Sequence, residues 1–354
     1  RLTRPIEHGL RRPQPRSYPH VQGLYLLLRA SGLTDVEPAG RKQVLRLDEQ
    51  AQRSWQRLNP TEQYGTLLET WLLHGRPEII GERSPSLFSG PGLSGEVALF
   101  TATLPADGLA VATAPQVEES IMRFSPGAYN VALLELFGLI DVQRGAPRPG
   151  LGWTVERIMP TPFGTALIAL LLDRFFGDHD RVLRLQSEGE IPYGALQPCL
   201  RPYFPEWRNN LRLPRWAFRE GTYVFRVSLG RVWRRIAISG DNSLDALAYA
   251  ILAAVDFDAD HLFEFVYQGR TGATERVSHP ATEEGPFTSE VRVGDLPLRV
   301  GQTMTFVYDF GDWWEFAVTL ERVDPATKIP TPTLLESHGE PPEQYPSWDE
   351  WGDV

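Results

Sequence analysis

One cysteine, Cys199, is all the thiol chemistry the chain has in 354 residues. No intrachain disulfide can form, and cysteine-rich zinc sites are excluded. That usage matches a reducing compartment, so a cytoplasmic location is expected. Long apolar runs are also missing. A run such as 166–172 falls far short of the roughly 18 residues a membrane span needs. The first residues, Arg1-Leu2-Thr3-Arg4, lead into no apolar signal core and begin without Met, so the native start is expected upstream or trimmed.

Several kinds of catalytic signature are lacking as well. There is no Gly-x-Ser-x-Gly elbow and no Gly-x-x-x-x-Gly-Lys-Ser/Thr loop. Cys199 has no patterned His partner, and the seven His lack metal-ligand spacing. No serine- or tyrosine-recombinase catalytic set is visible, and no helix has a dense Arg/Lys/Asn/Gln face for a major groove. An enzyme is therefore not the expected reading.

The charge that is present is unevenly placed. The net charge is -10. Residues 1–60 hold eleven Arg and Lys against five Asp and Glu, whereas residues 222–354 hold ten against twenty-two. A protein that coats nucleic acid all over is excluded, but a local basic site is not. Residues 1–20 alternate Arg with Pro and read as an arm, either solvated or touching phosphates.

From Val21 the pattern becomes helical, with Val21, Leu24, Tyr25 and Leu28 as one stripe. A short strand around 41–47 follows. Asn59-Pro60-Thr61-Glu62 then opens a helix carrying Tyr64, Leu67, Leu68, Trp71 and Leu72. We expect a helical, winged-helix-like module over 21–115. A second is expected over 116–177: a helix at 126–136, a strand from Leu139, a Gly/Pro turn at 144–152, and a strand at 153–159. Thr161 caps and Pro162 starts the helix that follows. Winged helices serve protein contact as readily as DNA contact. If DNA is the partner, Arg41, Lys42, Arg46, Arg144 and Arg148 are the expected phosphate contacts. Residues 178–221 form a Pro- and aromatic-rich connector that should pack on something.

From Tyr223 the chain alternates as strands, Tyr223 to Leu229 and Trp233 to Ile238. Asn242 or Ser243 caps a helix with Leu244, Leu247, Ile251 and Val255 on one face. Further strands follow from His261 and Met304. The turn Asp309-Phe310-Gly311-Asp312 leads into Trp313-Trp314-Glu315-Phe316. The fold class expected is α+β and multidomain: mainly helical modules, then a small β-grasp-like α+β domain over 222–333, then an acidic aromatic tail over 334–354.

Five ordered pieces carry a resemblance. They are Val232-Trp233-Arg234-Arg235-Ile236, Ser243-Leu244-Asp245-Ala246-Leu247, Phe257-Asp258-Ala259-Asp260-His261-Leu262-Phe263-Glu264-Phe265, Tyr308-Asp309-Phe310-Gly311-Asp312-Trp313-Trp314-Glu315, and Glu340-Pro341-Pro342-Glu343. This region resembles the plasmid pRiA4b ORF-3-like family, a largely uncharacterised group whose members are sometimes named as passengers of mobile elements. The family pattern usually has His where Phe316 stands, and a longer acidic tail where Gln344-Tyr345 stands.

Asp309, Asp312, Glu315 and His261 are the one constellation with the look of a site. Three carboxylates and a His suit a divalent metal of the magnesium or manganese kind. Alternatively, the aspartates are turn residues whose side chains bond nearby backbone, with Gly311 permitting positive φ. No other cofactor is expected. The expected function is a non-enzymatic DNA- or protein-binding accessory, with a metal-dependent enzyme acting on nucleic acid as the alternative.

Overall fold

The computed structural model describes residues 14–39, 42–82, 95–111, 116, 119–146, 153–178, 191–214, 216–283 and 285–345. Chain contacts divide it into two units. One comprises Arg1–Asp35 and Leu47–Leu213, the other Val36–Arg46 and Pro214–Val354. No described helix is long and apolar enough to cross a membrane.

The first unit opens with α1 (Pro19–Ala30). The stripe expected to be buried faces outward: Val21, Leu24 and Tyr25 are exposed. Leu26, Leu27 and Ala30 face the core instead. Close packing explains the choice of face. A Cβ on Gly23 would come within 2.8 Å of Leu133 Cγ, so only glycine lets the helix settle onto this leucine. A hairpin follows, β1 (Thr34–Ala39) paired with β2 (Lys42–Leu47). Most of this hairpin belongs to the second unit, where the Gln302 side chain donates to Val36 O.

After α2 (Glu49–Gln56) comes α3 (Pro60–Glu69). It opens with a full capping box between Asn59 and Glu62. Besides the expected apolar residues, α3 buries two carboxylates, and both hold the connector. Glu62 accepts from the backbone N–H groups of Arg208 and Asn209, at 3.0 and 2.7 Å. Burial opposes its charge, but these donors and Asn59 outweigh burial and hold its carboxyl below the ordinary range. Glu69 accepts from Gly194 N and Leu196 N, at 2.8 and 2.7 Å. Burial dominates there and raises its carboxyl to about 7. Between them Gly65 lies under the buried Trp207. The aromatic-rich connector thus packs on α3, as its composition predicts.

Then come α4 (Gly95–Ala102), β3 (Leu109–Ala110), α5 (Ala128–Leu136), β4 (Ile140–Arg144), β5 (Val155–Pro160) and α6 (Pro162–Leu171). Thr161 accepts from Gly164 N at 2.9 Å, so the expected cap is in place. The small sheet has the order β3-β5-β4. One apolar core runs from Leu26 through Trp71, Leu133 and Ile158 to Trp207. It spans the stretches that the sequence divides into two modules and a connector.

The second unit centres on a seven-stranded sheet of order β12-β7-β6-β11-β10-β8-β9, antiparallel at each of its ladders. Its strands are β6 (Thr222–Leu229), β7 (Val232–Ser239), β8 (Phe263–Gln268), β9 (Thr274–Ser278), β10 (Thr303–Tyr308), β11 (Trp314–Asp324) and β12 (Thr333–His338). The helix α7 (Leu244–Ala254) packs its buried Leu244, Leu247 and Ile251 into the core shared with Phe225, Phe265 and Phe306. Both helices and antiparallel sheets are present, so the chain is α+β and multidomain. Two strands differ from expectation. β9 lies between the strands expected from His261 and Met304, where no strand is expected, and β12 lies at the start of the expected tail.

Candidate functional site

The site is the end of the C-terminal sheet, where three segments meet: residues before β8, the β10–β11 turn, and Gln344-Tyr345. Tyr308 ends β10 with its ring in the core and its hydroxyl aimed at the first segment. It donates to Asp258 O at 2.6 Å and contacts Asp260 Oδ1 at 3.1 Å. Gln344 reaches in from the far end of the chain. Its Oε1 accepts from Asp258 N at 2.6 Å, and its Nε2 donates to the Tyr345 hydroxyl at 2.9 Å. Tyr345 in turn donates to both Asp260 carboxylate oxygens, at 3.1 and 3.2 Å.

These bonds shift the titrating groups. Burial raises the Asp260 carboxyl, but the hydroxyls of Tyr308 and Tyr345 outweigh it and hold Asp260 below the ordinary carboxylate range. The same contacts act the other way on the phenols. Burial, followed by the hydrogen bond to Asp260, raises Tyr308 and takes Tyr345 to about 12.

The turn beside this network holds the expected site residues. His261 Nε2 lies 3.5 Å from Asp309 Oδ2 and 3.7 Å from Asp260 Oδ1. Asp309 Oδ1 accepts from Gly311 N at 2.8 Å and Asp312 N at 3.4 Å, and Asp309 sits at φ 56°. Its carboxylate therefore does the turn work that Asp side chains favour. Trp313 is also at positive φ, and its indole N–H donates to Glu315 Oε1 at 2.7 Å. The structure thus brings His261 and Asp309 together with Asp260. Asp312 contributes its backbone N–H to the turn, and Glu315 holds the indole. Among the described residues, no group of three or more His, Cys, Asp or Glu is arranged to hold a metal ion.

Asp260, Tyr308, Gln344 and Tyr345 were not singled out from the sequence as site residues. Gln344-Tyr345 reads there only as a departure from a family pattern, yet these two residues close the network. Phe316, the other departure, lies in the core 5.8 Å from Phe306 and 6.2 Å from Phe257, ring to ring.

The VWRRI piece serves the scaffold. Arg234 is buried, and its guanidinium donates to Ala254 O at the end of α7 and to Trp233 O, His338 O and Gly339 O. Arg235 lies on the other face and pairs with Glu321 and Glu336. Ser243 caps α7 through Ala246 N.

Of the expected phosphate contacts, Arg144 is exposed at the end of β4 and Arg46 is exposed in β2. Lys42 starts β2, though its side chain lies outside the description. Arg41 and Arg148 lie outside the described residues.

A seven-stranded antiparallel sheet with a helix on one face and a polar cluster at one end defines a small α+β domain. Residues 222–349 match the model of the plasmid pRiA4b ORF-3-like protein family, so the resemblance carried by the five pieces holds for this domain. The uncharacterised protein y4hQ of Sinorhizobium fredii is 32% identical over 117 residues, which is 32% of this chain and 58% of that protein. The chain therefore spans little more than half the length of that curated relative. A crystal structure of a protein of unknown function from Methanosarcina mazei Go1 matches 34% of this chain and 70% of its own, at 25% identity and a TM-score of 0.31.

Proposed function

We propose that this protein is a non-enzymatic, modular binding accessory whose C-terminal domain docks a protein partner at the end of its sheet. The observation that carries this is the closure of the polar network: Asp260, Tyr308, Gln344 and Tyr345 satisfy one another. A metal needs side-chain donors left free to ligate it, and catalysis needs groups left free to meet a substrate. Here Asp309 and Glu315 are engaged by the turn itself. The alternative, a metal-dependent enzyme using Asp309, Asp312, Glu315 and His261, is tested by titrating the full chain with manganese. No stoichiometric site is expected. A one-to-one site that disappears in Asp309→Asn overturns the docking reading.

A second reading, DNA contact by the N-terminal unit, draws on the order β3-β5-β4. It places the first short strand beside the last, as in a winged helix. The helix α5 before the hairpin buries Asn130, Val131, Ala132, Leu133 and Leu134, and its Glu135 bonds His20 at 2.6 Å, so this part of the helix is not free to enter a groove. Arg144 on the hairpin is the contact this reading retains. Binding to duplex DNA over a salt series tests it. Affinity that falls log-linearly with salt, with a shallower slope in Arg144→Ala, supports a phosphate contact. No binding at low salt removes it.

A further inference from the structure

The β10–β11 turn exposes apolar surface in an unusual chemical setting. Phe310 and Trp313 project from it 41% and 52% exposed, with ring centroids 6.0 Å apart and ring planes 45° to each other. Asp309 N donates to Leu262 O, which places the exposed Leu262 beside the turn. Large rings left in water at a loop tip cost solvation and mark a contact surface.

Charge decides what kind of partner fits. Asp312, Glu315 and Asp260 are exposed around these rings. No Lys or Arg occurs between Arg235 and Arg270, between Arg299 and Arg322, or from residue 329 to 345. The three segments that build the tip therefore carry carboxylates and aromatic rings, with His261 as their one cationic candidate. A guanidinium matches this chemistry: its planar face stacks on aromatic rings while its N–H groups bond carboxylates. A compact, strongly hydrated ammonium suits it less well.

We infer that the Phe310–Trp313 tip is the docking site for an arginine-bearing segment of a partner protein. This inference rests on reading the C-terminal domain as a docking module, and it adds the site and the chemistry of the partner. Phe310 and Trp313 supply the stacking faces, and Asp312 supplies the carboxylate.

The test is fluorescence-anisotropy titration of the full chain with a labelled octa-arginine peptide, with octa-lysine as comparison. Any acidic protein attracts such peptides, so the decisive variant leaves charge untouched. Phe310→Ala/Trp313→Ala removes two exposed rings and is expected to weaken octa-arginine binding roughly tenfold, with little effect on octa-lysine. Melting of the variant checks that it folds. Equal affinity in variant and wild type overturns the inference, and so does an equal loss for both peptides. Either result leaves the docking reading standing, since that reading falls on a separate outcome, a manganese site at Asp309.

Discussion

Replacing Arg234 with Met keeps the length and apolar stem of the side chain but removes its hydrogen bonds. The guanidinium joins the end of α7, through Ala254 O at 2.7 Å, to the end of β12, through His338 O and Gly339 O at 3.0 and 3.1 Å. A buried acceptor that loses its donor costs about 1–3 kcal/mol. His338 and Gly339 are exposed and can rehydrate, whereas Ala254 and Trp233 are only partly exposed. Counting mainly the latter two gives a loss of about 3 kcal/mol. Two units make a single unfolding energy ill-defined, so local hydrogen exchange is the suitable assay. Amides in β12 and the last turn of α7 should lose roughly 100-fold protection, while those of α3 stay unchanged. A change below about threefold at β12 would refute the clamp.

Glu69 and His74 should give the first unit opposing pH dependences. Glu69 is raised to about 7 by burial, so its contribution to stability is greatest in acid and falls as pH rises from its ordinary value of 4.5 through 7. His74 is lowered to about 4 by burial, so it stays neutral when folded and costs stability as pH falls below its ordinary 6.5. Glu69→Gln should therefore remove only the first slope. Its stability relative to wild type should rise by about 3 kcal/mol between pH 4.5 and pH 8, by denaturant titration of the first unit's signal. A pH-independent difference would contradict the assignment. Gly65→Ala places a Cβ within 2.6 Å of the Trp207 ring, and should cost about 1–3 kcal/mol and loosen the connector, read as faster exchange over 194–210. Unchanged exchange there would show that the connector is held otherwise.

Much of the C-terminal domain is legible because its strands alternate sharply. Tyr223, Phe225 and Val227 face the core while Arg226 faces water, and Ser243 caps α7 as expected. β12 was not legible. All six of its residues are exposed, so burial leaves no period-two trace, and its pairing with β7 rests on backbone bonds that sequence pattern does not encode. α1 shows a different failure. Its periodicity is correct, but two faces compete, and the one holding Gly23 wins because it permits closer packing. No sequence pattern marks Glu62 and Glu69 for burial. Only the fold of the connector supplies the N–H donors that bury them. At the sheet end, Asp309 and His261 are adjacent as the motif suggests. Gln344 and Tyr345 reach that end from more than eighty residues beyond Asp260, a link that no local pattern could carry.

Site-specific photo-cross-linking tests the docking surface most directly. A benzophenone side chain at position 313 of the full chain, expressed in its native cell, would be compared with one at position 328. The account predicts a discrete adduct from 313 and none from 328, with the captured peptide carrying arginine. No adduct from 313, or equal capture at both positions, would contradict it.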